Sequence, residues 1–133
     1  MDIQWDSSLT TGVDELDDQH KEIFSRINRL VNMSHPEKEK EIEKIFRFLG
    51  GYVMDHFTRE EEYMIRYKYP DYDSHKGEHI QFLKNYSSLK KMFDQEGATE
   101  LIITATQNQA VDWLIKHIRT TDKQMAAYLK SKM

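Results

Sequence analysis

Five of the six histidines in this chain, His20, His56, His75, His79 and His117, fall where an amphipathic helix places leucine or isoleucine. Two acids, Glu60 and Asp122, stand on the same stripes. An imidazole held in a core without a partner costs about 1–3 kcal/mol, so the set would cost on the order of 5–15 kcal/mol, as much as the whole stability of an ordinary domain. A single buried histidine is usually satisfied by a carbonyl or a hydroxyl. Five of them with two acids need a common partner, and the pattern predicts a metal site with donors enough for two ions. The sixth histidine, His35, adjoins Pro36 at a break between helices and is assigned to solvent.

The periodicity around these residues predicts an all-α chain. Residues 1–13 have no sustained helical period and read as an N-terminal arm, with Trp5, Leu9 and Val13 as anchors. Asp14 is expected to cap a first helix with Leu16, His20, Ile23, Ile27 and Leu30 on its inner face. Ser34 and Glu37 have capping-box spacing, and Pro36 suits a first turn. A second helix then carries Ile42, Ile45, Leu49, Tyr52, His56, Glu60, Tyr63 and Tyr67, and is expected to stop at Tyr69-Pro70-Asp71 because proline disfavours helical geometry in the residue before it. Asp71 or Ser74 would cap the third helix, whose inner positions are His75, His79, Phe82, Tyr86, Leu89 and Phe93. Gly97 closes it and Thr99 opens a fourth, with Leu101, Ile102, Ala110, Trp113, Leu114, His117 and Ile118 inward. A short helical extension follows through Met125 and Tyr128. Four amphipathic helices on short loops predict an up-down-up-down four-helix bundle.

Spacing narrows the chemistry. His75 and His79, like His56 and Glu60, are four residues apart, which brings their side chains together on one helix face. A carboxylate can serve two metals with its two oxygens, whereas a neutral imidazole binds one metal and donates its other N–H elsewhere. Two six-coordinate ions offer twelve positions. Five imidazoles and two bridging carboxylates fill nine, a solvent-derived bridge fills two, and one position is left for a small ligand. Donor type leaves zinc, iron, copper and nickel open, with carboxylate bridges favouring iron. His117 and Asp122 do not fit this scheme on a regular helix, since five residues turn it by about 140° from alignment. Both can face one site only if the helix is locally widened or broken, and Thr120-Thr121 is taken as the place.

Composition excludes several function classes. The 19 basic and 23 acidic residues are interspersed, with a net charge of −4 and no basic cluster, which disfavours nucleic acid or an anionic membrane as partner. With no cysteine, a metal must be held by nitrogen and oxygen. No stretch reads as a secretory signal or a membrane span, so a cytoplasmic, non-inserted protein is expected.

The runs Gly12-Val13 to Gln19-His20, His56-Phe57-x-x-Glu60-Glu61, His75-Lys76-Gly77-Glu78-His79 with Phe82-Leu83, and Trp113-Leu114-x-x-His117-Ile118-x-x-x-Asp122 resemble the hemerythrins, in particular their single-domain bacterial form. The resemblance spans nearly the whole chain and implies one domain over residues 1–133. It also implies two non-haem irons joined by an oxo or hydroxo bridge. One would be held by His75, His79 and His117 and the other by His20 and His56, with Glu60 and Asp122 across the pair. The activity it implies is reversible dioxygen binding, as a carrier or store and not an enzyme, by a monomer that would hand oxygen to an oxygen-consuming protein. The oxygen pocket it implies is Ile23, Phe57, Trp113, Leu114 and Ile118.

Three other readings compete. His75-x-x-Glu78-His79 matches the H-x-x-E-H of inverted zinc proteases, but leaves the other three inward histidines unused. Ferritin-like iron oxidases use paired Glu-x-x-His motifs, which do not occur here. An oxygen or redox sensor acting through a partner protein would share the iron site, and a chain without a fused signalling domain fits a carrier better.

Overall fold

The computed structural model describes residues 5–133. Among these residues there is no strand, and four rods form an up-down-up-down four-helix bundle. The first rod is α1 (Asp14–Val31). The second comprises α2 (His35–Arg47) and α3 (Met54–Arg66), joined without a break by a π-helical turn, Phe48–Val53. The third is α4 (Tyr72–Glu96). The fourth runs through α5 (Glu100–Thr106), α6 (Asp112–His117) and α7 (Lys123–Lys132), with π turns at Gln107–Val111 and Ile118–Asp122. The expected C-terminal extension is thus the end of the fourth rod itself. No helix among the described residues is long and apolar enough to cross a membrane.

Local chemistry sets the rod ends, in two places differently from expectation. Asp14 does not cap α1; it is the first helical residue, and the N-cap, Val13, has no side-chain bond. The carboxylate of Asp17 instead reaches back to accept from the backbone N–H and the hydroxyl of Thr11, each at 2.8 Å, tying the arm to the first turn. Gly12, with φ 84°, makes the bend between them, a conformation that costs glycine little. The second rod stops at Arg66, before the proline can act. Lys68 adopts φ 56°, and the N–H groups of Lys68 and Tyr69 bond Ile65 O at 3.2 Å and Met64 O at 2.9 Å. This is a Schellman closure with lysine in the left-handed position, and buried Met64 and Tyr69 share one apolar cluster. The phenol of Tyr128 donates to Tyr67 O and Lys68 O, satisfying carbonyls at that end. Asp71 occupies the N-cap of α4 without a side-chain bond.

Ser34 behaves as its spacing suggests: its hydroxyl accepts from Glu37 N–H and donates to the Glu37 carboxylate. Thr99 accepts from Ile102 N–H, and Gly97 closes α4 at φ 78°. His35 is exposed.

Two apolar clusters flank the histidines. The larger contains Ile23, Ile27, Phe46, Leu49, Phe57, Phe82, Leu89, Leu114 and Ile118, with Trp113 half-buried against it. The smaller gathers Val13, Leu16, Met64, Tyr69, Met125 and Leu129 at the other side of the site, joining the start of α1 to the ends of α3 and α7. Of the arm's anchors, Leu9 and Val13 are buried and Trp5 is partly so, while residues 1–4 of the arm lie outside the described residues. Leu101, expected inside, is 66% exposed. Tyr63 and Tyr67 are half-buried, and Met64 takes the interior place between them.

Candidate metal centre

All seven expected donors are buried, and they come from all four rods. α1 supplies His20, α3 supplies His56 and Glu60, α4 supplies His75 and His79, and the fourth rod supplies His117 and Asp122. The last pair meets because the chain widens into a π turn over Ile118–Asp122, around the Thr120-Thr121 step. An i→i+5 turn takes in one more residue than an α turn, which swings Asp122 back beneath His117. The Thr120 hydroxyl donates to Lys116 O at 2.7 Å within this widened stretch.

The donor atoms fall into two groups. One comprises Glu60, His75, His79, His117 and Asp122, the other His20, His56, Glu60 and Asp122, and within each group the ligand atoms lie within 4.8 Å of one another. The two carboxylates belong to both. His20 Nε2 lies 3.0 Å from one Glu60 oxygen and 3.2 Å from one Asp122 oxygen. The second Asp122 oxygen lies 3.0 Å from His75 Nε2 and from His117 Nε2. His79 Nε2 is 3.3 Å from the second Glu60 oxygen. Each acid thus turns one oxygen to each group, as a bridging carboxylate must.

The donors fit a pair of cations. His56, His75, His79 and His117 each have a buried Nε2 with no hydrogen-bond partner, as do Glu60 Oε1 and both Asp122 oxygens. His75 Nε2 and Asp122 Oδ1, for example, are close but not in line for a hydrogen bond. Buried nitrogen and oxygen atoms that converge without a hydrogen bond between them can be satisfied by metal ions.

The electrostatics of the ion-free cluster agree. Burial pushes His20 down, but Asp122 and Glu60 beside it more than offset this and lift it to about 10. The same balance lifts His75 to about 9, and with Glu78 added lifts His117 to about 10. His56 is pushed down, chiefly by burial. Burial opposes ionisation of Glu60 and Asp122, yet the surrounding imidazoles hold both well below the usual carboxylate range. Protons on the imidazoles stand in for cationic charge at a centre whose acids are ionised.

Three supporting residues were not assigned as such from sequence. Gln19 Oε1 lies 2.7 Å from His56 Nδ1, Glu61 Oε2 lies 2.9 Å from His79 Nδ1, and Glu78 Oε1 lies 2.9 Å from His117 Nδ1. These contacts leave Nε2 of each ring facing the centre. Each supporter adjoins a donor in the chain but serves a histidine on the next rod, and only that adjacency hinted at it. Glu78 is also held by the Thr121 hydroxyl at 2.8 and 2.9 Å. Its engagement with His117 is not that of a free protease base. The expected pocket residues Ile23, Phe57, Leu114 and Ile118 are buried and Trp113 is half-buried. Phe57 stacks on His79 at 3.9 Å between ring centres, and Trp113 stacks on His117 at 4.9 Å.

Fold and site together define a four-helix protein built around a nitrogen- and oxygen-ligated two-ion centre. The family model of the hemerythrin HHE cation binding domain matches residues 11–129. The chain belongs to the hemerythrin family, whose members bind oxygen at a non-haem di-iron centre. It is 36% identical to a bacteriohemerythrin of Methylococcus capsulatus, over 85% of each chain. It is 32% identical to a myohemerythrin of Theromyzon tessulatum, over 90% of this chain and 87% of that one. It is 34% identical to myohemerythrin-1 of Phascolopsis gouldii, over 89% and 87%. No solved structure matches the chain.

Proposed function

We propose that this chain is a single-domain oxygen carrier or store, binding dioxygen reversibly at two irons. His75, His79 and His117 would hold one iron, His20 and His56 the other, and Glu60 and Asp122 would span both. The observation that carries this reading is the unequal pair of donor groups, with three imidazoles in one, two in the other and both carboxylates in common. With a solvent-derived bridge, that set saturates one six-coordinate ion and leaves the ion beside His20 and His56 one ligand short. Two ferrous ions, when bound, supply the two electrons that dioxygen takes up on binding and returns on release.

The protein's own part is to position and to exclude. Gln19, Glu61 and Glu78 hold imidazoles in the orientation that points Nε2 inward. Ile23, Leu114 and Ile118, all fully buried, would wall the site with hydrocarbon, and Phe57 and Trp113 stack on the His79 and His117 rings. An apolar wall disfavours water and anions while admitting a small neutral molecule, which is the discrimination a reversible carrier requires.

The test is to load the chain with iron, reduce it without air, admit oxygen and then remove it while following the visible spectrum. A colour that forms and disappears with the gas supports a carrier. One-way conversion to ferric protein with peroxide release overturns it in favour of an oxidase or a redox sensor.

A further inference from the structure

The outward nitrogens of the histidine shell are served unequally. Both anionic acceptors, Glu61 and Glu78, serve His79 and His117, which belong to the same donor group. In the other group His56 meets only the neutral amide oxygen of Gln19, and His20 Nδ1 is buried without a hydrogen-bond partner. His75 Nδ1 also lacks one, so the three-histidine group has two anionic supports and the two-histidine group has none. The carboxylates are themselves anchored: Thr121 donates to both oxygens of Glu78, and Lys76 Nζ stands 3.8 Å from Glu61. A hydrogen bond to an ionised acceptor is roughly twice as strong as one to a neutral group. It draws the Nδ1 proton away and makes Nε2 the better electron donor.

We propose that Glu61 and Glu78 are positioning residues that make the ion beside His75, His79 and His117 the more tightly held and the more easily oxidised of the two. Gln19, a neutral partner, leaves the ion beside His20 and His56 the more weakly held. The inference deepens the di-iron reading and rests on it for the identity of the ions, but the asymmetry belongs to the donor groups and applies to any divalent metal they accept.

The probe is zinc, titrated into the ion-free full chain against a competing chelator so that two binding steps are resolved. Glu61→Gln and Glu78→Gln preserve shape and remove charge, and each should weaken the tighter step about tenfold or more while moving the weaker step by no more than about twofold. Gln19→Leu should weaken the other step, and Gln19→Glu should bring the two steps closer together. Far-UV circular dichroism of each ion-free variant establishes that it is folded. On iron loading, Glu61→Gln and Glu78→Gln should raise the midpoint potential, because the charge that favours the ferric ion has gone; a merely structural role would not move it in a folded variant. Equal weakening of both steps, or of neither, overturns the proposal. Neither arm involves oxygen, so reversible oxygenation with symmetric zinc binding sinks this inference alone, and asymmetric binding with one-way oxidation sinks the carrier reading alone.

Discussion

His117 Nε2 and Asp122 Oδ1 lie 3.0 Å apart although five residues separate them on one rod. On a regular helix their directions would differ by about 140°. The π turn Ile118–Asp122 removes that difference, so the position of Asp122 depends on one extra residue in a helix turn.

Inserting one alanine after Thr120, an exposed residue inside that turn, should place Asp122 six residues after His117 and swing it by about 100° out of the site. We expect the ion-free variant to remain largely helical but to retain at most one ion after iron or cobalt loading. Metal analysis beside circular dichroism checks this, with Asp122→Ala as the comparison. Two retained ions in a folded insertion variant would show that the residue count across the turn does not set the position of Asp122.

The ion-free protein should have a bounded window of stability in pH. His20, His75 and His117 are raised to about 10, 9 and 10, so what they contribute is complete below their ordinary value of 6.5 and gone once pH passes their raised values. Glu60 and Asp122 are lowered, so their contribution is complete above their ordinary values of 4.5 and 3.8 and declines as pH falls further. Burial lowers His56, whose share falls away as pH drops below 6.5, so thermal melting of the ion-free chain should peak near 6.5. Metal requires neutral imidazoles, so loading at pH 7 should release a proton from each of His20, His75 and His117 and should tighten as pH rises. Calorimetry in buffers of different ionisation enthalpy reads that release directly.

Leu114 is fully buried in the apolar cluster beside the site. Leu114→Ala should cost about 2–5 kcal/mol and leave a hole that water can reach. The oxygenated protein should then convert to the ferric form faster, as followed by its visible spectrum in air. An unchanged rate in a folded variant removes Leu114 from the barrier.

Gly50 sits in the π turn of the second rod, where an added Cβ would overlap the phenol of Tyr86 on α4. Helix propensity alone would make Gly50→Ala stabilising by about 1 kcal/mol. Because the space is filled, we expect destabilisation of about 1–3 kcal/mol, largely relieved in a Tyr86→Ala background. Urea unfolding of the four members of the cycle decides the sign.

Much of this was legible in the chain because helical period and buried polarity are local signals. His20, His56, Glu60, His75, His79 and His117 each interrupt an apolar stripe, and an interruption is visible without a partner. The stripe misleads at its edge: Tyr63 and Tyr67 are only half-buried, whereas Met64, four residues after Glu60 on α3, is fully buried. At Lys68 the stop signal is backbone geometry with no glycine to mark it, so proline took credit for an end that a Schellman closure makes two residues earlier. Leu101 carried an apolar side chain and still faces out, because Ile102 and Ile103 take the inward positions of the same turn.

The amino-acid sequence by itself determined the four rods and singled out seven polar residues as candidate donors, since residue type and periodicity are read along the chain. Only the tertiary structure decided which acceptor serves which histidine. Gln19, Glu61 and Glu78 look along the chain like neighbours of His20, Glu60 and His79, yet they bond His56, His79 and His117 across the gaps between rods. A polar side chain at a helix flank can turn toward either adjoining rod, and the packing of the bundle selects the one where its partner is waiting.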